Sequence, residues 1–154
     1  MTALISLDGV MRTEVGDPIH EGLKLYRVLA TSYRTVIATD GTKEEAEHWL
    51  RSNLIKGYAD ILDNTRKFEG EDLRLRQLKI MRVEGVVELF IDSDVDRCAK
   101  AYSSGVTALL FSSPKFVRTK REVKPWDELK VEVEKQQELR AKLALDDLSA
   151  HRWE

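Results

Sequence analysis

Groups that can carry out polar chemistry follow three apolar segments of this chain, each as long as a buried strand. They are Ser6 and Asp8 after residues 3–5, Thr39 after residues 35–38, and Asp92, Asp94 and Asp96 after residues 86–91. Carboxylates act as nucleophiles, exchange protons or hold Mg²⁺, and hydroxyl groups bind phosphoryl oxygens. Because open α/β sheets hold their chemistry at the carboxyl ends of the strands, we expect these side chains to share one sheet edge.

Each of these residues also has a purely structural interpretation. Asp8 precedes Gly9 and could be only a turn residue, and Thr39 could simply end a strand. The three aspartates at 92, 94 and 96 precede a predicted helix, whose N-terminus favours a capping side chain and negative charge. Both interpretations stay open from these residues alone.

Strand and helix patterns alternate along the chain. Predicted strands lie within residues 3–10, 35–39, 58–62, 86–91 and 106–111, and predicted helices start at Pro18, after the Thr42 cap, at Asp72, near Val95 and at Pro125. Such alternation is typical of a parallel sheet covered by helices. The predicted fold is α/β, a Rossmann-like parallel sheet of about five strands flanked by helices, with an additional C-terminal helix.

The chain is predicted to form one α/β domain over residues 1–124, followed by a charged amphipathic helix over residues 125–154. Its apolar stripe is interrupted at Gln136 and Gln137. We expect the helix to pack on the sheet domain through Trp126 and Leu129 and then to project. The projecting half, with Leu139, Leu143 and Leu148, could pair with a second copy or contact its own monomer, and both alternatives stay open.

Composition excludes several classes. The chain has 154 residues, a net charge of −2, three His and the single Cys98, so neither a disulfide framework nor a Cys-rich zinc site is expected. No signal peptide or membrane-spanning segment is evident, which predicts a cytoplasmic protein without a membrane partner.

A basic run includes Lys115, Arg118, Lys120, Arg121 and Lys124. A solvated loop is the favoured interpretation of this run, ahead of a nucleic-acid contact.

Three motifs resemble those of the haloacid dehalogenase (HAD) superfamily of phosphatases. They are S-L-D-G-V at 6–10, V-I-A-T-D at 36–40 and F-I-D-S-D-V-D at 90–96, and the similarity covers residues 3–116. The segment at 105–114 is also similar to the strand after the catalytic cluster in small members encoded by bacteria and their phages. The chain departs from the pattern at one position, because Ser6 stands where the family has its nucleophilic Asp.

The resemblance implies a role for each candidate residue. Asp8 would be the general acid and base, and Thr39 would bind phosphoryl oxygens. A weakened Mg²⁺ site would use Asp8, Asp92 and Asp94, with Asp96 as an alternate ligand. Lys67 is favoured over Arg74 and Lys79 as the phosphate-neutralising cation, on the basis of its separation from the acidic cluster.

Residues 11–34 and 40–66 leave no room for a cap domain, so the site is expected to be open to a large ligand or a protein partner. The leading hypothesis is a degenerate member that acts as a binding or regulatory module for a phosphorylated ligand or a protein, because serine is a weak nucleophile and a poor Mg²⁺ ligand. The alternatives are an active Mg²⁺-dependent phosphohydrolase on a phosphorylated macromolecule or nucleotide, and a polyanion-binding adaptor.

Overall fold

The computed structural model describes residues 1–116 and 125–151 and confirms the predicted α/β fold. Its strands are β1 (Thr2–Ser6), β2 (Arg34–Ala38), β3 (Asp60–Leu62), β4 (Val87–Asp92) and β5 (Ala108–Leu110). Its α-helices are α1 (His20–Ala30), α2 (Lys43–Ser52), α3 (Leu73–Glu84), α4 (Val95–Ser103) and α5 (Pro125–His151), and a 3-10 helix spans Asn64–Arg66.

The five strands form one parallel sheet in the order β3-β2-β1-β4-β5. The chain proceeds from β1 outward to β2 and β3, and then crosses to β4 and β5 on the other side. The direction of winding therefore changes between β1 and β4, where Ile5 pairs with Ile91. A crevice at the carboxyl ends of such a strand pair is the usual ligand position in this architecture.

Alternate residues of β1 enter two different hydrophobic cores. Ile5 joins the core on one face of the sheet together with Tyr26 of α1, and Leu4 joins the other together with Phe90. Because both faces of β1 are covered, its strand sequence is almost uniformly apolar, as expected for a central parallel strand. This burial fixes the position of the strand end that carries Ser6.

Two predicted helix boundaries are wrong. Helix α1 begins at His20 rather than at Pro18, because the Ile19 amide donates to the Met11 carbonyl at 2.8 Å and so belongs to the loop after β1. Helix α2 ends at Ser52, well before Gly57, which lies at φ +87° in the loop that leads to β3. The predicted Thr42 cap is confirmed, because its side chain accepts the Glu45 amide.

Helix α5 packs along α4 further than its apolar pattern predicts. Leu129 joins the core beneath α4, and both Glu132 and Gln136 hydrogen-bond the Ser103 hydroxyl at 3.0 and 3.3 Å. The Arg140 guanidinium then lies over the Tyr102 ring at 5.5 Å. The predicted break at Gln136 is therefore too early. The side chains of Trp126 and Leu148 and residues 117–124 lie outside the described part of the chain.

From Leu139 onward, α5 exposes the apolar side chains of Leu139, Leu143 and Leu145, which are 52%, 56% and 65% accessible. None of the helices in the described residues is long and apolar enough to cross a membrane.

Deletion of residues 143–154 should leave the free energy of unfolding nearly unchanged, because those of its side chains that the structure describes, at 143–146, are exposed. Deletion of residues 131–154 also removes the Ser103 hydrogen bonds and the Arg140–Tyr102 contact, and should cost about 1–3 kcal/mol. Urea denaturation of the two truncated proteins measures both values. A large loss from the shorter deletion would place further stabilising contacts in the last turns, and a halved mass in light scattering would assign those turns to a dimer.

Candidate functional site

Ser6, at the carboxyl end of β1, and Asp8, just after it, contact the ends of two different neighbouring strands. The Ser6 hydroxyl, which has no accessible surface, donates to Oδ2 of Asp92 at the end of β4 at 2.8 Å. Asp8 turns toward β2, where its Oδ2 accepts the Thr39 hydroxyl and the Asp40 amide, both at 3.0 Å. The three motifs therefore meet at one edge of the sheet, as the sequence predicts.

Gly9 is needed for the chain to leave this edge. Its φ of +91° lies in the left-handed region, which L side chains rarely adopt. A Cβ at this position would also overlap the Ser93 hydroxyl and lie 2.8 Å from the Phe116 ring. The turn after Asp8 therefore requires glycine for two independent reasons.

Arg12 fixes Asp8 in place. Its Nε donates to Asp8 Oδ1 at 2.8 Å, and its two terminal nitrogens donate to both carboxylate oxygens of Glu45 at 2.5 and 2.9 Å. The guanidinium also lies over the Trp49 ring, whose Nε1 donates to the Gly16 carbonyl at 2.7 Å. Arg12 therefore joins the loop after β1 to α2 and occupies one oxygen of Asp8.

The electrostatics of this pair favour the ionised forms. Burial would by itself raise the pKa of Asp8, but the Asp40 amide, the Arg12 charge and the hydrogen bonds of Arg12 and Thr39 outweigh it and lower that pKa. Burial likewise opposes the charge on Arg12, yet the pKa of Arg12 is raised by its bonds to Glu45 and Asp8. An ionised Asp8 that already accepts three donors is a poor proton acceptor.

The carboxylate of Asp92 has no accessible surface and is surrounded by donors. Besides Ser6, its Oδ2 lies 3.3 Å from Arg74 Nε and 3.6 Å from Arg97 Nη1. Its Oδ1 accepts the Asp94 amide at 3.0 Å. The charge of Asp92 is therefore balanced inside the protein by two guanidinium groups.

Arg74 is held by its own helix. Gln77, one turn later on α3, accepts Arg74 Nη1 at 2.6 Å, and both side chains have no accessible surface. The Gln77 amide nitrogen also lies within 3.1 Å of the carbonyls of Thr39, Leu62 and Asp63. These contacts fix α3 against the ends of β2 and β3.

The charges at this edge alternate across four elements. Arg74 Nη2 lies 3.1 Å from Asp40 Oδ1, and Arg97 Nε lies 2.9 Å from Asp72 Oδ1. We refer to Asp40, Arg74, Asp92, Arg97 and Asp72, in that order, as the ion chain. Burial opposes the charge on both Asp72 and Arg97. The charge of Arg97 nevertheless lowers the pKa of Asp72. The charges of Asp92 and Asp72 likewise raise the pKa of Arg97.

The side chains of the other two candidates, Asp94 and Lys67, take other positions. Asp94 caps α4, where its Oδ1 accepts the amides of Asp96 and Arg97 at 2.9 and 3.2 Å. Lys67 is exposed after the 3-10 helix, and the cation that the structure brings to Asp92 from this part of the chain is Arg74.

The sequence does not identify the arginines at this edge as the partners of Asp8 and Asp92. The sequence suggests Arg74 only as an alternative phosphate-binding cation, and the signal for its burial is its position on the same helical face as Leu78 and Met81. Arg12 had only its spacing of four residues from Asp8 as a signal.

The arrangement does not fit a divalent cation between Asp8 and Asp92. Each of these carboxylates is paired with a guanidinium, and Asp94 is turned to its helix. Within residues 1–116 and 125–151, no group of three or more His, Cys, Asp or Glu side chains is arranged to hold a metal ion. The Mg²⁺ site implied by the motifs stays a prediction for binding measurements.

Cys98 offers no alternative nucleophile. Burial, followed by the charge of Asp92, raises the pKa of this thiol to about 12. Its Sγ donates weakly to the carbonyls of Asp92 and Leu109 at 3.6 and 3.8 Å. A protonated, buried thiol is unreactive, so Cys98 is a packing residue of the second core.

Comparison of the chain with protein-family models and with curated proteins finds no match. Membership of the HAD superfamily therefore stays a prediction from the three motifs.

Asp72→Asn should isolate the electrostatic part of the ion chain, because asparagine caps a helix as well as aspartate does. At neutral pH we expect a loss of about 0.5–1 kcal/mol, discounted because the Asp72 side chain is 36% exposed. Because folding lowers the pKa of Asp72, this stabilisation is complete above pH 3.8, the pKa of the carboxyl group in the unfolded chain. It is lost as the pH falls through the lower pKa of the folded protein. The difference from wild type should therefore shrink in acid.

Urea denaturation at several pH values measures this difference. Glu138→Gln removes an exposed negative charge from α5 and serves as the matched control. A loss for Asp72→Asn that stays constant down to the most acidic pH would show that the Arg97 pair contributes nothing.

Proposed function

We propose that this chain is a non-hydrolytic, HAD-like binding or regulatory module. The observation that carries the proposal is the hydrogen bond from Ser6 to Asp92, at the position where the motif pattern calls for a nucleophilic carboxylate. Position 6, which the motif pattern assigns to the nucleophile, and Asp92, which it assigns to Mg²⁺, instead form part of the buried structure.

Ser6 lacks what a serine nucleophile needs. A hydroxyl must be activated by a base, and the carboxylate beside it, Asp92, is already paired with both Arg74 and Arg97. Ser6 and Asp92 also have no accessible surface, so a substrate atom could not reach either one without rearrangement. These features support binding rather than turnover.

The exposed side of the site is a small open cavity of about 220 Å³ in front of Asp8. Its charged lining residues are Asp8, Glu14 and Glu45 against the single cation Arg12. An excess of carboxylates disfavours a phosphate group and favours a basic or neutral ligand. Of the two partner classes that the motifs suggest, a protein surface therefore fits this cavity better than a phosphorylated ligand.

Two alternative functions remain as hypotheses. The polyanion-binding adaptor depends mainly on the basic residues Arg118–Lys124, which lie outside the described residues, and Lys115 lies 3.8 Å from Glu21. The active phosphohydrolase would use Asp8 and Asp92 directly, and it is separated from our proposal by a turnover assay.

We expect the wild-type protein to hydrolyse a generic aryl phosphate no faster than buffer in the presence of Mg²⁺. Ser6→Asp alone should also stay at the background rate, because the new carboxylate would still face an Asp92 that is paired with arginine. Steady-state release of the aryl alcohol, with metal-free buffer as the control, measures both rates.

Wild-type turnover that disappears in both Asp8→Asn and Asp92→Asn would reject the proposal in favour of the phosphohydrolase. Turnover in Ser6→Asp alone would show instead that only the nucleophile is missing. Inorganic phosphate should leave the Tm of the wild-type protein unchanged. A rise in Tm would favour a phosphorylated ligand over a protein partner.

A further inference from the structure

We infer that the Arg74 guanidinium is a built-in counter-cation for Asp92, and that removing it opens a divalent-cation site formed by Asp92, Asp40 and Gln77. The inference concerns the charge balance of the site, and it holds whether or not the chain binds a partner.

A carboxylate without accessible surface needs a cation within the protein. The Asp92 charge lies at the end of a buried strand, where an unpaired ion is strongly unfavourable. Arg74 meets this need from a position that is itself fully buried, with its Nε 3.3 Å from Asp92 Oδ2. Its charge thus balances the same carboxylate that the motif pattern assigns to Mg²⁺.

The guanidinium of Arg74 has a separate oxygen acceptor for each of its three nitrogens. Nε faces Asp92, Nη1 donates to Gln77 Oε1 at 2.6 Å, and Nη2 donates to Asp40 Oδ1 at 3.1 Å. A planar guanidinium is well suited to such a fixed set of acceptors, whereas a lysine ammonium is a single point charge. Arg74 therefore excludes a metal ion from this position by charge and by volume.

The same three acceptors are the ligands that a hard cation prefers. Without the Arg74 side chain, two carboxylate oxygens and one amide oxygen would surround the vacated volume, and Mg²⁺ and Mn²⁺ bind through such oxygens. The Asp40 side chain is 41% exposed, which provides a path for the ion and for the waters that complete its coordination. Arg97 remains 3.6 Å from Asp92 and should keep the affinity modest.

The test measures Tm in MgCl₂ and in NaCl of equal ionic strength for wild type, Arg74→Ala and Arg76→Ala. Arg76 is on the same helix with a side chain that is 38% exposed, so its variant controls for loss of an arginine from α3. We expect Arg74→Ala to lower Tm by roughly 10 °C in NaCl, because it removes one of the two guanidinium groups that balance the buried Asp92 charge. MgCl₂ should restore part of that loss in Arg74→Ala alone, and EDTA should reverse the gain.

The double variant Arg74→Ala/Asp92→Asn identifies the group that needs the cation. With no charge left at position 92, this variant should be more stable than Arg74→Ala and should show no response to MgCl₂ beyond that to NaCl. Mn²⁺ binding, followed by loss of the free-ion electron paramagnetic resonance signal, should be seen with Arg74→Ala and not with wild type.

A wild-type protein that binds Mn²⁺ as Arg74→Ala does, or an Arg74→Ala that matches Arg76→Ala in Tm and ignores MgCl₂, would overturn the inference. If Arg74→Ala does not fold, Arg74→Gln keeps hydrogen-bonding atoms at this position without the charge. Its Tm must then rise in MgCl₂ over NaCl for the inference to stand. None of these measurements depends on turnover or on a partner, so their failure is separate from failure of the proposed function.

Discussion

The buried carboxylate of Asp92 imposes the strictest requirement on this fold, because its charge must be balanced where water cannot reach. That requirement is met from outside the sheet, by Arg74 of α3 and Arg97 of α4. Two helices that lie beside the sheet are therefore positioned by electrostatics as well as by apolar packing. Asp40 and Asp72 extend the alternation of charge, so Arg74 and Arg97 each lie between two carboxylates.

The polar groups at the sheet edge are used mainly for internal contacts. Thr39 donates to Asp8, Asp8 is held by Arg12, and Ser6 donates to Asp92. Groups that would contact a ligand in a catalytic site are already satisfied by one another. The hydrogen-bonding needs of this edge are consequently met without a ligand.

The sequence was sufficient to predict the strands and the meeting of the three motifs, because parallel strands buried on both faces are marked by apolar runs. It was not sufficient to identify which cation meets Asp92. Lys67 has the expected separation along the chain, whereas Arg74 is found only once α3 is docked, and arginine is among the residues least often buried. The start of α1 was missed for a similar reason, because the Ile19 amide bonds to a loop that local patterns do not reveal.

The side-chain amide of Gln77 serves as a shared partner for the backbone of two strands. Its nitrogen reaches carbonyls that follow β2 and belong to β3, while its oxygen holds a guanidinium of its own helix. Loss of α3 from the sheet would leave those carbonyls without this donor and Asp92 without Arg74 at the same moment. Local opening of this region is therefore expected to be cooperative, so that backbone amides of α3 and of the strand ends exchange with solvent as a single unit.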